Sequence, residues 1–284
     1  MANRRNFTQD EIDSILEKYD NGQSMESIQK EFHTRKIKDI LIDNGRTIKQ
    51  GGSRPNSGRK FQYSFNEQYF EKIDSIDKAY WLGFIAADGY ITKSTKGQNL
   101  LGICLAEIEP LEKFKKCINS NHPINHFKAK NSYNDTISDA YRITLVSNKV
   151  VSDIEKLGII ERKTLNLEFP NLNILSKEYI SHYIRGYFDG DGSVFLSNHK
   201  YLNCEILGTE KFLIGISKEL LSFDINVTPV PDSRPEKNVW RLRFLSLDKS
   251  IKLYKYMYKD CENLYLSRKK DKFENYINKK VQRL

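Results

Sequence analysis

The sequence is poor in the residues that announce several common architectures. Its 284 residues hold only seven prolines and 15 glycines, too few for a collagen-like or low-complexity chain. With 39% hydrophobic and 12% aromatic residues it can bury a core, which argues against disorder. The four cysteines, Cys104, Cys117, Cys204 and Cys261, lie far apart and form no Cys-x-x-Cys pair. That excludes a disulfide framework and a structural zinc site, and the four read as reduced, mostly buried thiols. No apolar run reaches the roughly 18 to 20 residues of a membrane span, and the opening MANRRNFTQDEID has no secretory hydrophobic stretch. The expectation is a soluble protein that is not secreted, at work in a bacterial or phage-infected cytoplasm or in an organellar matrix.

What the chain does have is positive charge: 46 Lys and Arg against 37 Asp and Glu, a net +9. Charge alone does not choose among nucleic acid, anionic membrane and simple solubility. Its placement says more. Ser267 to Leu284 carries seven basic residues against two acids, and Gly45 to Lys60 carries five and none. These clusters suit a solvated tail and linker, and equally a duplex, whose dense phosphates reward clustered cations through counterion release.

Residues 1–45 read as a small helical unit. Ile12, Ile15, Leu16 and Tyr19 have helical spacing until Asn21-Gly22. Ser24 caps a second helix running through Phe32 with Ile28 inward. Thr34 caps a third, with Ile37, Ile40 and Leu41 on one face until Asn44-Gly45. This is a helix-turn-helix pattern, and the third helix would hold Arg35, Lys36 and Lys38 near its exposed N-terminal end, where a recognition helix meets the major groove. A three-helix bundle serving partner contacts, its charges merely solvated, is the alternative. Residues 46–62 follow as a basic linker rich in Gly, Ser and Pro. It lacks the Gly-x4-Gly-Lys-Ser/Thr pattern of a phosphate loop, and its Arg54, Arg59 and Lys60 suit contacts with DNA phosphates.

The remainder repeats itself. Tyr80-Trp-Leu-Gly-Phe-Ile-Ala-Ala-Asp88-Gly89 parallels Tyr183-Ile-Arg-Gly-Tyr-Phe-Asp-Gly-Asp191-Gly192. Downstream, Tyr141 to Leu145 parallels Trp240 to Phe244, and Arg162-Lys163 parallels Arg268-Lys269. The offsets agree: 53 and 49 positions from the Asp to the strand, 75 and 78 from the Asp to the lysine. The fold class expected is α+β: a pseudo-twofold pair of αββαββα repeats, residues 63–172 and 173–284, behind a small all-α helix-turn-helix domain.

Each repeat opens with a helix ending in Asp-Gly, with Asp77 and Ser176 as expected caps and the two glycines suited to a left-handed helix end. Gly83 and Ala87, like Gly186 and Gly190, lie four apart, so two helix backbones can approach closely. If they meet there, Asp88 and Asp191 come together at two helix C-termini, a poor place for bare carboxylates. A divalent metal reverses the sign. Two carboxylates on Mg²⁺, with room for phosphate oxygens and water, suit in-line hydrolysis of a phosphodiester.

These residues resemble the LAGLIDADG homing endonucleases in their single-chain, two-motif form, with Trp81 to Gly89 and Ile184 to Gly192 as the matching nonapeptides. The resemblance implies that Asp88 and Asp191, with Ala87 and Gly190 beside them, hold two or more Mg²⁺ ions, for which Mn²⁺ substitutes. It also implies that each repeat lays a curved antiparallel sheet on a long, pseudo-symmetric duplex site, and that a monomer cuts both strands across the minor groove to leave 3′ overhangs. The earlier acidic position of the motif is Asp189 in the second copy but Ala86 in the first. That position is not the family's essential ligand. Lys163 and Lys269 are repeat-equivalent candidates for stabilising developing phosphate charge, with plain phosphate contact as the alternative. On the sheets, Arg142, Thr144, Arg241 and Arg243 alternate with apolar neighbours and are candidates to face the groove.

Other patterns fail. Asp189-Gly-Asp191-Gly starts like a calcium loop, but its sixth and twelfth positions are Val194 and Lys200. Asp153 with Glu161-Arg-Lys163 fits a restriction-type pattern but ignores the repeat. His122 and His126 straddle Pro123 without further ligands and read as loop histidines. Within the fold the rivals are an RNA maturase and a non-catalytic DNA-binding regulator. Two retained aspartates speak against the regulator, and the helix-turn-helix favours DNA over RNA. The chain is short for a complete intein and begins with Met, which favours an intron-encoded or free-standing element. Its wealth of Lys, Asn, Ile and Tyr hints at an AT-rich genome.

Overall fold

The protein is described by a computed structural model covering residues 7–48, 62–93, 97–130, 135–163, 166–171, 173–197, 201–233 and 239–281. The expected phosphate contacts Arg54, Arg59 and Lys60 lie outside them. The chain divides into two units, residues 1–62 and 63–284.

The first unit contains α1 (Gln9–Asp20), α2 (Met25–Glu31) and α3 (Ile37–Asp43). Thr8 opens α1 with a reciprocal capping box to Glu11, and Ser24 caps α2 through the Ser27 amide. The third helix departs from expectation. Thr34 does not cap it; its hydroxyl accepts from the Lys36 amide in a local turn, and the helix begins at Ile37 with no side-chain cap. Arg35 and Lys36 therefore sit in the turn ahead of α3, and only Lys38 is on it; all three are exposed. Ile15, Ile28, Ile37 and Leu41 are wholly buried and form a core of their own. Arg46 binds Asp20 at 2.6 Å, joining the start of the linker to the end of α1.

The second unit is two runs of the same elements. The first is α4 (Ile76–Asp88), β1 (Gly89–Thr92), β2 (Leu100–Leu105), α5 (Glu109–Cys117), β3 (Asn125–Lys130), β4 (Ile137–Val146) and α6 (Asn148–Lys156). The second is α7 (Ile180–Asp191), β5 (Gly192–Ser197), β6 (Tyr201–Gly208), α8 (Glu210–Leu221), β7 (Val230–Pro231), β8 (Trp240–Phe244) and α9 (Leu247–Tyr258), with an added α10 (Ser267–Val281). Each run forms one antiparallel four-stranded sheet, in the order β1-β2-β4-β3 and β5-β6-β8-β7. Alternation sets the faces. Ile103 pairs Ile143 and Leu101 pairs Leu145 on the core side, as Ile206 pairs Leu242 and Cys204 pairs Phe244. Arg142, Thr144, Arg241 and Arg243 occupy the opposite faces. His126 lies on β3, not in a loop, where it stacks on Tyr141 and contacts Asp139. All four cysteines are free, but Cys104 is exposed because it sits beside Arg142 on the open face of the first sheet. Among the described residues no helix is long and apolar enough to cross a membrane.

Candidate functional site

The two motif helices, α4 and α7, pack against each other along their small residues. A methyl at Gly83 would stand 2.0 Å from the Tyr183 carbonyl oxygen, and one at Gly186 would stand 1.9 Å from that of Tyr80. Only glycine permits this approach. One turn further on, a methyl at Gly190 would meet the Ala87 methyl at 2.3 Å and the Asp88 carboxylate at 3.0 Å. The close packing thus carries the ends of both helices, with Asp88 and Asp191, to one place.

The details of those ends correct the reading from sequence. Ser75, not Asp77, is the residue before α4; its hydroxyl and that of Tyr69 both donate to the Asp77 carboxylate in the first turn, where the helix dipole favours negative charge. Ser176 heads a single 3₁₀ turn, Lys177–Tyr179, and donates to Glu178; α7 begins after it. Gly89 and Gly192 are not left-handed. Both are extended, with φ −72° and −88°, because each helix passes straight into a strand. Glycine is needed there because a side chain would strike the turn before it, at Ile85 and Phe188.

Both aspartates are largely shielded from water, and this governs their chemistry. Burial, reinforced by the neighbouring Asp191, pushes the Asp88 carboxyl up to about 6, against the pull of Lys269, Lys163 and Arg268. Burial raises Asp191 too, opposed by Lys163, by a hydrogen bond with Tyr187 and by Lys269. The lysines are shifted the other way: burial lowers Lys269 to about 8 and also lowers Lys163. Lys163 Nζ donates to the Ala87 carbonyl, and Lys269 Nζ donates to the carbonyls of Phe188, Asp189 and Gly190 at 2.7, 2.6 and 3.0 Å. The Ala87 and Gly190 carbonyls, expected beside the carboxylates as metal donors, are therefore engaged by ammonium groups. A cleft of about 260 Å³ lies alongside, lined in part by Lys163, Tyr187 and Asp191.

Two largely shielded carboxylates, both raised by burial and one of them also by its neighbour, are a hard-oxygen donor set that fits a divalent cation such as Mg²⁺, whose charge would offset these penalties. Among the described residues no cluster of three or more His, Cys, Asp and Glu forms, so the side-chain donors here are the two aspartates.

Other candidates are not brought to this place. Arg142 is exposed and lies over the Phe127 ring at 5.2 Å, and Thr144 is half-buried. Arg241 is committed within the sheet: it pairs with the buried Asp232 and approaches Glu205 at 3.9 Å, while Arg243, more exposed, stands 3.6 Å from the same Glu205. Sequence reasoning missed two participants and gave a third, Asp189, no role. Tyr187, whose hydroxyl reaches both the Leu207 carbonyl and Asp191, could have been found as a hydroxyl standing where the first motif has Phe84. Arg185 is wholly buried and donates to the carbonyls of Met257 and Leu264. Asp189 is wholly buried as well, and its partners are described below. The sequence signal for Arg185 was a charge inside an apolar helix, whereas Asp189 was marked by the earlier acidic position of the motif.

The fold has known relatives. Residues 178–257 match the LAGLIDADG-like domain. The structure is similar to the homing endonuclease I-WcaI bound to its DNA recognition sequence, with 15% identity, 73% of this chain and 91% of that one covered, and a TM-score of 0.54. It is also similar to I-DmoI in complex with DNA and Ca, with 18% identity, 71% and 94% covered and a TM-score of 0.42. In sequence it is 28% identical over 148 residues to a probable translation initiation factor IF-2 of Methanocaldococcus jannaschii, covering 51% of this chain and 11% of that protein, so the likeness is to a small segment of it. The chain thus carries a LAGLIDADG-like domain in its second repeat, and the two repeats together have the single-chain fold of the LAGLIDADG homing endonucleases.

Proposed function

We propose that the protein is a site-specific, divalent-metal-dependent DNA endonuclease of the homing type, acting as a monomer on a long, pseudo-symmetric duplex site. The observation that carries this reading is the convergence of Asp88 and Asp191, each with a lysine of its own repeat, where the paired motif helices pass into their two antiparallel sheets. Asp88 and Asp191 would hold Mg²⁺, or Mn²⁺ in its place. Such an ion, when bound, supplies Lewis acidity toward a phosphodiester and lowers the pKa of water. The chain's own groups do the rest. The Lys163 and Lys269 ammoniums place fixed positive charge beside the carboxylates, where charge on a phosphoryl group would grow. The Tyr187 hydroxyl orients Asp191. The open sheet faces, with Arg142, Thr144 and Arg243, would lie in the grooves, and Arg241 would hold Glu205 and Asp232 in place. Both strands would be cut across the minor groove to leave 3′ overhangs. Residues 1–45 would read further bases, with Arg35 and Lys36 in the turn and Lys38 on α3 nearest the phosphates, and the basic linker would follow the backbone.

The test is incubation of the full chain and Mg²⁺ with DNA spanning the insertion site of its gene. The expected result is a double-strand break that Asp88→Asn or Asp191→Asn abolishes. Binding without cutting would make it a regulator, and unchanged cutting by both variants would remove the aspartates from the chemistry.

A further inference from the structure

The two halves of the cleavage centre are not built alike, and the difference traces to one residue. Two positions before the motif aspartate, the first repeat has Ala86 and the second has Asp189. Ala86 is 2% exposed and packs well, so pairing of the motif helices does not call for a carboxylate there. A wholly buried carboxylate is costly unless several donors hold it. Asp189 has three: the Leu266 amide at 2.9 Å, the Tyr80 hydroxyl at 2.9 Å and the Tyr258 hydroxyl at 3.3 Å.

The first of these leads to the second lysine. Leu266 gives its N–H to Asp189, and its carbonyl accepts from the Lys269 amide at 3.0 Å. Two hydrogen bonds therefore connect Asp189 to the backbone of Lys269. The lysine then returns along α7, and its ammonium rests on three carbonyls, including that of Asp189 itself. Lys269 itself lies in the first turn of α10, a helix anchored by the wholly buried Phe273. Among the described residues the first repeat has no carboxylate that ties its lysine in this way. Ile160, three residues before Lys163 as Leu266 is before Lys269, is 42% exposed where Leu266 is 5%. Among the described residues the Lys163 ammonium holds the one carbonyl of Ala87, and the Asn166 and Leu167 amides close a turn on the Lys163 carbonyl where the second repeat has α10.

We propose that Asp189 is a positioning residue that fixes Lys269 at the end of the second motif helix, so that Lys269 is held before DNA arrives by a support that Lys163 does not share. The proposal rests on the endonuclease reading, and it makes the two strand cuts unequal in what they need from the protein.

The experiment measures the cutting rate of each strand of an end-labelled target duplex with the full chain and Mg²⁺. Lys269→Met identifies the strand that depends on that lysine. Asp189→Ala is expected to slow cutting of that same strand at least about tenfold while the other stays within about twofold, with unchanged affinity for DNA and accumulation of nicked duplex. Equal slowing of both strands, or no slowing, would overturn the proposal. Tyr80→Phe removes one donor and keeps the ring, and it should produce the same strand bias at about threefold. If Asp189→Ala does not fold, that variant carries the test by the same criteria. Amide exchange at Leu266 gives a reading free of cleavage: it should accelerate at least about tenfold in Asp189→Ala while α1 to α3 are unaffected, and unchanged exchange would overturn the positioning role. If the wild-type protein cuts no DNA, the endonuclease reading fails, and the Leu266 exchange decides the role of Asp189 by itself.

Discussion

The two repeats are nearly identical where their helices touch and different where their lysines are held. At the contact, a methyl placed at Gly83 or Gly186 would stand 2.0 or 1.9 Å from a carbonyl oxygen of the opposite helix, so each repeat presents the other with the same surface. At the lysines, one arm rests on three carbonyls behind a buried aspartate, and the other rests on a single carbonyl. Once two copies are joined in one chain, each is free to change wherever it does not meet its twin. The helix contact is bound by symmetry, because a side chain on either face collides with the opposite backbone. The lysine ammoniums hydrogen bond to carbonyls of their own repeat, so the two arms can diverge.

The strongest challenge to that comparison is removal of one carboxylate. Because both belong to a single centre, Asp88→Asn and Asp191→Asn should each lower double-strand cleavage by roughly a thousandfold or more, an effect of the size expected when a key electrostatic group is lost. A variant that still nicks one strand at the wild-type rate would show the centre to be two independent sites, and one that cuts both strands normally would remove that aspartate from the chemistry.

Next in size is the helix contact. Gly83→Ala and Gly186→Ala each press a methyl into backbone that cannot yield, and each should cost roughly 3 kcal/mol of stability by thermal or urea unfolding. The costs should be alike, and a large inequality would mean that the contact is less symmetric than its distances.

The pH dependence sharpens the electrostatic side. In the metal-free fold Asp88 titrates near 6, above its ordinary 3.8, so its ionised form is disfavoured by folding. Its destabilising contribution is fully present above about pH 6 and is relieved as pH falls from there toward 4. Metal binding needs the ionised form, so Mg²⁺ affinity should move the opposite way and weaken below about pH 6. Calorimetry across this range, with Asp88→Asn as the reference, should show both trends, and a flat difference between wild type and variant would contradict the shift. The smallest effect is expected from the N-terminal unit. Deleting residues 1–45 should weaken DNA binding by about tenfold and shorten the footprint without moving the cut, as the loss of a few phosphate contacts would. An unaltered footprint would exclude that unit from DNA reading.

Much of this was legible because repetition is a signal that survives without structure. The matched Tyr-to-Gly stretches located both motif helices, both catalytic carboxylate candidates and the strand pairs that follow. Signals that rest on a single local residue fared worse. Thr34, Asp77 and Ser176 all have cap chemistry, yet each hydrogen bonds elsewhere because a neighbour competes: the Lys36 amide, the Tyr69 and Ser75 hydroxyls, and the Glu178 carboxylate. Gly89 and Gly192 were needed, but for closeness to the preceding turn and not for a left-handed backbone. Arg241 alternates correctly along its strand, and alternation does not tell that Asp232, nine positions earlier, occupies its guanidinium.

By itself, then, the sequence determined the small helical unit, the duplicated αββαββα order and the pair of aspartates at the helix ends, because periodicity and repetition are properties of the chain read in one dimension. Only the tertiary structure decided which polar groups are buried and what holds them. Asp189 meets donors 69, 77 and 109 positions away, and Arg185 meets carbonyls 72 and 79 positions away. Such bonds are fixed by how the helices, the second repeat's tail and the two motifs come together, and no spacing along the chain encodes them.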